Sequence, residues 1–298
     1  MKNRLTILFL LLYLSLICTG CAIGKKEPAG DGKLSVCTSF YAMYDFASKI
    51  GGDKINILNM VPAGTEPHDW EPSASDIANL EKADIFIYNG IGMESWTDKV
   101  LSSLENKKLT AVQASSGISL LGGTDKGDPH IWLSPEKAKR EMENIKNALS
   151  AKDPGNKNFY EENYKKYSAE FDALDGEFCS KLSPLPKKDI VVAHQAFGYL
   201  CADYGLNQIP IEGLSADSEP NPAKMAEIIS IAKQKKIKVI FFEELVSPKV
   251  SETIAKAASA ETKVLNPLEG LTDEQEAKGE DYFSLMRENL SMLEEALS

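Results

Sequence analysis

No apolar run in this chain is long enough to span a membrane, no basic run is long enough to grip a nucleic acid, and only three histidines and five cysteines occur in 298 residues. Each shortage excludes something. The longest apolar stretch, Leu5 to Ile17, covers about 13 residues against the roughly 20 of a spanning helix, and Lys25-Lys26 followed by Gly and Pro offers no stop-transfer pattern. With MKNR before it and Thr19-Gly20 after it, the stretch has the build of a secretory signal over residues 1–20. The formal charge is −11, and loss of residues 1–20, which hold Lys2 and Arg4 and no acid, takes it to −13. Nucleic acid is therefore excluded as a partner. Beyond Cys18 and Cys21, the cysteines Cys37, Cys179 and Cys201 are odd in number and lack C-x-x-C spacing, so they read as buried small apolar groups. H-E-x-x-H is absent, which leaves a secreted zinc hydrolase only as a rival built from scattered ligands with water in the fourth place.

The run CTGC resembles a bacterial lipobox, with Cys18 where leucine is usual, and implies lipidation of Cys21. AIGKKEPAGDG, residues 22–32, is small, polar and Gly/Pro-bearing. That composition suits a flexible tether over 21–33, holding a folded body near a membrane by a lipid.

From Leu34 onward short apolar runs alternate with helical periods: LSVCTSF, INILNMV, DIFIYNG and LTAVQ in the first half, DIVVAH, QIPIEG, KVIFFEE and TKVLNPLEG in the second. This alternation predicts βα units on mostly parallel sheets. Between the halves, after DPG at 153–155, apolar residues recur at Tyr160, Tyr164, Tyr167, Phe171, Leu174 and Phe178. Steps of four and three predict one long amphipathic helix, ended by Ser183-Pro184-Leu185-Pro186. The expected architecture is α/β: a lobe over 34–155, a rigid linking helix over 156–182 and a second lobe over 183–298.

The three histidines stand in TEPHDWEPS (His68), DPHIWLSP (His130) and VVAHQAFG (His194), each where a strand or a proline-flanked loop gives way to a helix. Taken singly, His68 reads as a solvated loop residue, His130 as a helix-start neighbour and His194 as a core histidine. Taken together they point to one crevice beyond the carboxyl ends of the strands. Imidazoles favour zinc, and a closed tetrahedral site wants a fourth donor. Asp69, Glu66, Glu212, Glu243, Glu244 and Glu269 are all candidates, and spacing does not choose among them.

TEPHDWEPSASDIANLEKADIFIYNG, DPHIWLSP, VVAHQAFGYL and FFEE…VLNPLEGLT resemble the zinc-specific solute-binding lipoproteins of bacterial ABC importers, and the similarity runs over nearly the whole chain after the tether. The resemblance implies two lobes bridged by a rigid helix, with a zinc ion as cargo between them. His68, His130 and His194 fall on the family's three histidine positions, and Glu269 where zinc-binding relatives place a carboxylate. It implies a monomeric receptor without enzyme activity, partnered by a permease and an ATPase. Two departures matter. SLLGGTDKGDPH is short and carries no histidine apart from His130, where many zinc members have a long His-rich loop. Manganese and iron receptors of the same family, the alternative reading, place a carboxylate where His194 stands.

Overall fold

A computed structural model of the chain describes residues 32–121, 127–214 and 220–298, of which Leu34–Ser298 is one compact unit. The signal segment 1–20, Cys21 and the tether up to residue 31 lie outside the described residues. The first lobe runs β1 (Leu34–Thr38), α1 (Tyr41–Gly51), β2 (Ile55–Asn59), α2 (Ala74–Leu80), β3 (Ile85–Tyr88), α3 (Thr97–Ser103), β4 (Thr110–Gln113) and α4 (Pro135–Lys152). The long helix α5 (Lys157–Leu182) follows. The second lobe runs β5 (Asp189–Val192), α6 (Gly198–Tyr204), β6 (Asn207–Pro210), α7 (Pro222–Lys235), β7 (Val239–Phe242), α8 (Lys249–Ala258), β8 (Glu261–Val264), α9 (Asp273–Lys278) and α10 (Tyr282–Leu297). Both sheets are parallel with the same order, β2-β1-β3-β4 and β6-β5-β7-β8.

The apolar runs of the central strands β1, β3, β5 and β7 form strands because both their faces are largely buried, as parallel sheets require. In β3, Ile85 and Ile87 face one core while Phe86 faces another; in β5, Ile190 and Val192 face inward and Val191 outward. The outward faces are covered by each lobe's own helices. The inward faces meet in a single core that runs from Val36 and Phe46 through Phe171 and Phe178 of α5 to Leu265 and the α10 residues Tyr282–Leu297. Helix α5 contributes the expected stripe, with Tyr160, Phe171, Leu174 and Phe178 buried and Tyr164 and Tyr167 packed at its margin.

Helix α10 belongs to the second lobe in sequence yet packs on α5 and reaches the first lobe. Its capping residue Asp281 pairs with Lys49 at 2.9 Å, and the Tyr282 hydroxyl donates to the Trp132 carbonyl at 2.7 Å. Helix α9 carried no periodic signal. Its start is fixed by a capping box between Thr272 and Gln275, a T-x-x-Q pattern visible in the sequence. Of the cysteines, Cys37 and Cys201 are buried, whereas Cys179 is exposed on α5, against the sequence expectation; all three are free. Among the described residues no helix is long and apolar enough to cross a membrane.

Candidate metal centre

His68 lies in the loop from β2 to α2, where Pro62, Pro67 and Pro72 restrict the backbone and the Ser73–Asp76 capping box fixes the exit. Its backbone N–H donates to both Glu66 carboxylate oxygens at 3.1 Å. His130 follows Pro129, whose carbonyl accepts from Asn89 at the end of β3. His194 sits two residues past β5, at the point where strand order reverses and ligands collect in such sheets. Glu269 follows Leu268, whose φ of +57° puts a non-glycine residue in the left-handed region. That conformation is held from both sides: the Leu268 N–H donates to Asn266 Oδ1 at 2.7 Å, and Asn266 is bound through its N–H and C=O to Asn289 of α10.

These four segments bring their donors to one point. His130 Nε2 is 3.1 Å from His68 Nε2 and 3.2 Å from His194 Nε2. Glu269 Oε1 is 3.1 Å from His130 Nε2 and 3.4 Å from the Nε2 atoms of His68 and His194. A tetrahedron with bonds of roughly 2.0–2.1 Å has edges of about 3.3–3.4 Å, so these separations match a four-coordinate zinc cage. His130 and His194 are fully buried and Glu269 is 2 % exposed.

The far side of two rings explains which nitrogen faces the centre. Asp128 Oδ1 lies 2.7 Å from His130 Nδ1, and Glu243 Oε1 lies 2.7 Å from His194 Nδ1. A carboxylate only accepts, so each Nδ1 carries the proton and each Nε2 presents a lone pair inward. Two lone pairs at 3.2 Å beside a carboxylate repel unless a cation or proton lies among them. Protonation shifts carry the same message. Burial opposes charge on His194, but Glu243 and Glu269 outweigh it and raise its pKa well above the ordinary 6.5. Burial likewise opposes charge on His68, and Glu269 and Glu66 outweigh it and raise its pKa. Burial would raise the Glu269 pKa, yet the three imidazoles hold it well below the usual carboxylate range.

The other acidic candidates are placed elsewhere. Glu243 backs His194, Glu66 holds the His68 backbone, and Glu244 accepts from Asn266 and Gln275; neither Asp69 nor Glu212 belongs to the four-residue cluster. Asp128 was overlooked in the sequence, although an acid two residues before a histidine across a proline is a visible signal. Its carboxylate also explains Gly198, where a Cβ would collide with Asp128 Oδ2. Replacing the backing acids, Asp128→Ala or Glu243→Ala, is expected to lower zinc affinity by roughly 10–100-fold. Glu269→Ala, which removes a donor, is expected to lower it further. Competition with a chelating dye measures all three, and a larger loss for Glu243→Ala than for Glu269→Ala would exchange their roles.

The loops are also tied across the lobes. Trp132 Nε1 donates to the Pro267 carbonyl at 2.7 Å, the Tyr199 hydroxyl to the Asp128 carbonyl at 3.0 Å, and the Gly64 N–H to the Leu271 carbonyl at 2.8 Å. Trp132 packs beside the His130 ring, while Trp70 packs on Trp96.

The profile of a protein family described as zinc-uptake complex component A, periplasmic, matches residues 36–296. The chain is 41 % identical over 289 residues to the high-affinity zinc uptake system protein ZnuA of Bacillus subtilis (strain 168), covering 92 % of this chain and 90 % of that protein. It is 40 % identical over 286 residues to the zinc-binding lipoprotein AdcA of Streptococcus pneumoniae, but covers only 57 % of that longer protein. The crystal structure of the Zn(II)-bound ZnuA-like domain of Streptococcus pneumoniae AdcA superposes with a TM-score of 0.81 at 42 % identity, over 89 % of this chain and 99 % of that one.

Proposed function

The chain belongs to the zinc-uptake complex component A family, and we infer that it is an extracytoplasmic receptor that captures one Zn²⁺ between its lobes and hands it to an ABC-type importer. His68 and His130 from the first lobe and His194 and Glu269 from the second are the ligands in this reading. The observation that carries it is the convergence of three Nε2 atoms and one carboxylate oxygen at 3.1–3.4 Å. Three neutral imidazoles, one carboxylate and a dication sum to +1. Asp128 and Glu243 behind the rings offset that charge, which lets the ion sit where water is largely excluded.

The donor set also bears on the rivals. Manganese and iron prefer more oxygen, whereas three nitrogens suit zinc. A hydrolytic zinc site keeps one position open for water; here Glu269 takes the fourth corner, so we read the protein as a carrier that performs no reaction. The permease and ATPase as partners, a monomeric state, lipidation of Cys21 and division into 34–155, 156–182 and 183–298 complete the proposal. A relative that carries the name lipoprotein supports the anchor. The test is a competition. Protein stripped by chelator and offered equal amounts of zinc, manganese and ferrous iron under anaerobic conditions is expected to retain about one zinc per chain. Retention of manganese or iron instead would move the site to the harder-ion branch of the family.

A further inference from the structure

We propose that Glu94, which stands outside the four-donor cluster, is the positioning residue for the first-lobe half of the cage: it staples the ends of β1 and β3 together and, through Asn89, sets the His130 peptide. The role rests on the zinc reading of that cluster.

Glu94 lies in the loop between β3 and α3 and is 8 % exposed. Its Oε1 accepts from the Ser39 hydroxyl, one residue past β1, at 2.7 Å and from the Asn89 N–H, one residue past β3, at 2.8 Å. Its Oε2 accepts from the Gly90 N–H at 2.9 Å. Strands β1 and β3 are the inner pair of the sheet, where strand order reverses, so the carboxylate spans the first lobe's own switch point. The chain reaches this geometry through Gly90, Ile91 and Gly92, with φ of +87°, +58° and +87°. A β-branched residue is strained in that region and persists only where its surroundings hold it there. Three hydrogen bonds to one buried carboxylate do so.

From this carboxylate two paths lead to the donors. Asn89 is fully buried, and its side-chain amide donates to the Pro129 carbonyl at 2.9 Å and to the Gly90 carbonyl at 3.0 Å. The Pro129 carbonyl and the His130 N–H belong to one planar peptide unit, and that N–H donates to Asp128 Oδ1 at 2.9 Å. Asn89 and Asp128 thus hold opposite edges of the unit that carries the His130 ring. Ser39 leads the other way: its carbonyl accepts from the Val61 N–H at 3.1 Å, where the loop to His68 begins.

The second lobe supports the assignment. Its sheet has the same order, and Glu243, directly after the inner strand β7, orients His194, which follows β5. Asn89 holds the equivalent place directly after β3. There the residue is an amide aimed at a backbone carbonyl, and the acid that fixes it is Glu94.

The test compares the isosteric variants Glu94→Gln and Asn89→Asp, their double variant, and Glu81→Gln, which disturbs a similar capture of two N–H groups, those of Glu105 and Asn106, in the same lobe. The Gln turns an NH₂ toward an N–H, and the Asp turns an oxygen toward two carbonyls. Each is expected to weaken zinc binding about tenfold, and Glu81→Gln by less than about twofold. The double variant should lose no more than the weaker-binding single, because the two residues act in series. In ring ¹⁵N spectra, recorded with and without zinc, the His130 signals should move while those of His194 stay. Wild-type affinity in both single variants, an equal loss in Glu81→Gln, a double loss equal to the product of the singles, or His194 signals that move as far as those of His130 would each overturn the role. If Asn89→Asp does not fold, Glu94→Gln decides by itself. A wild-type protein that takes up no zinc would overturn the zinc reading instead, and the metal-free ring spectra would then decide the positioning role.

Discussion

Saturating zinc is expected to raise the melting temperature of the chelator-treated protein by roughly 8–16 °C. At free zinc ~1,000 times the dissociation constant, binding to the native state alone contributes about 4 kcal/mol, and in a chain of this size each kcal/mol moves the midpoint by roughly 2–4 °C. The premise that only the native state binds rests on the sequence separation of the donors. His68 and His130 are 62 residues apart, and His130 and His194 are 64 apart. An unfolded chain has no pair of ligands close enough to compete. Differential scanning calorimetry with and without zinc measures the shift. A midpoint that stays put, in protein whose stoichiometric metal the chelator has demonstrably removed, would mean that the four donors do not act as one site.

Zinc affinity should collapse in mild acid, and the onset should lie above pH 6.5. Zinc and protons compete for the same Nε2 lone pairs. His68 and His194 both have raised pKa values, His194 well above 6.5 because Glu243 and Glu269 outweigh its burial. Below both pKa values each of these protons costs about a factor of ten per pH unit, so the two together cost about 100-fold per unit. Without metal the signs run the other way. The raised His194 pKa stabilises the fold fully below 6.5, and this contribution is lost as pH rises through the folded value. The lowered Glu269 pKa stabilises above 4.5, and its contribution is lost only as pH falls through the depressed value. Between about 4.5 and 6.5 the protonated imidazole and the carboxylate therefore stand in for the ion. Chelator competition at pH steps from 8 to 5.5 traces the curve; a flat profile, or an onset below pH 6, would count against imidazole donors with these neighbours.

The alternation of strands and helices was legible because the central strands β1, β3, β5 and β7 are largely buried on both faces and read as apolar runs. Helix α5 was legible through its stripe and its proline stop. The three histidines stood out by scarcity, yet their convergence depends on loops whose paths are set by distant partners, such as Asn89 on Pro129 and Asn289 on Asn266. No local pattern reports those pairings. Glu243 shows the limit well: a strand-end acid reads the same whether it binds an ion or orients the histidine that does. The placement of α10 was equally hidden, since an amphipathic helix shows that it packs but not on what.

The unbroken core beneath both sheets has a consequence for how the molecule opens. Parting the lobes as rigid bodies would uncover side chains such as Trp132, Tyr282 and Phe283, all at most 1 % exposed. Each buried aromatic covers roughly 150–250 Å², about 4–6 kcal/mol at ~25 cal/mol per Å². Fluctuations of that kind are costly, so the strands of both lobes are expected to exchange their amide hydrogens as one cooperative unit.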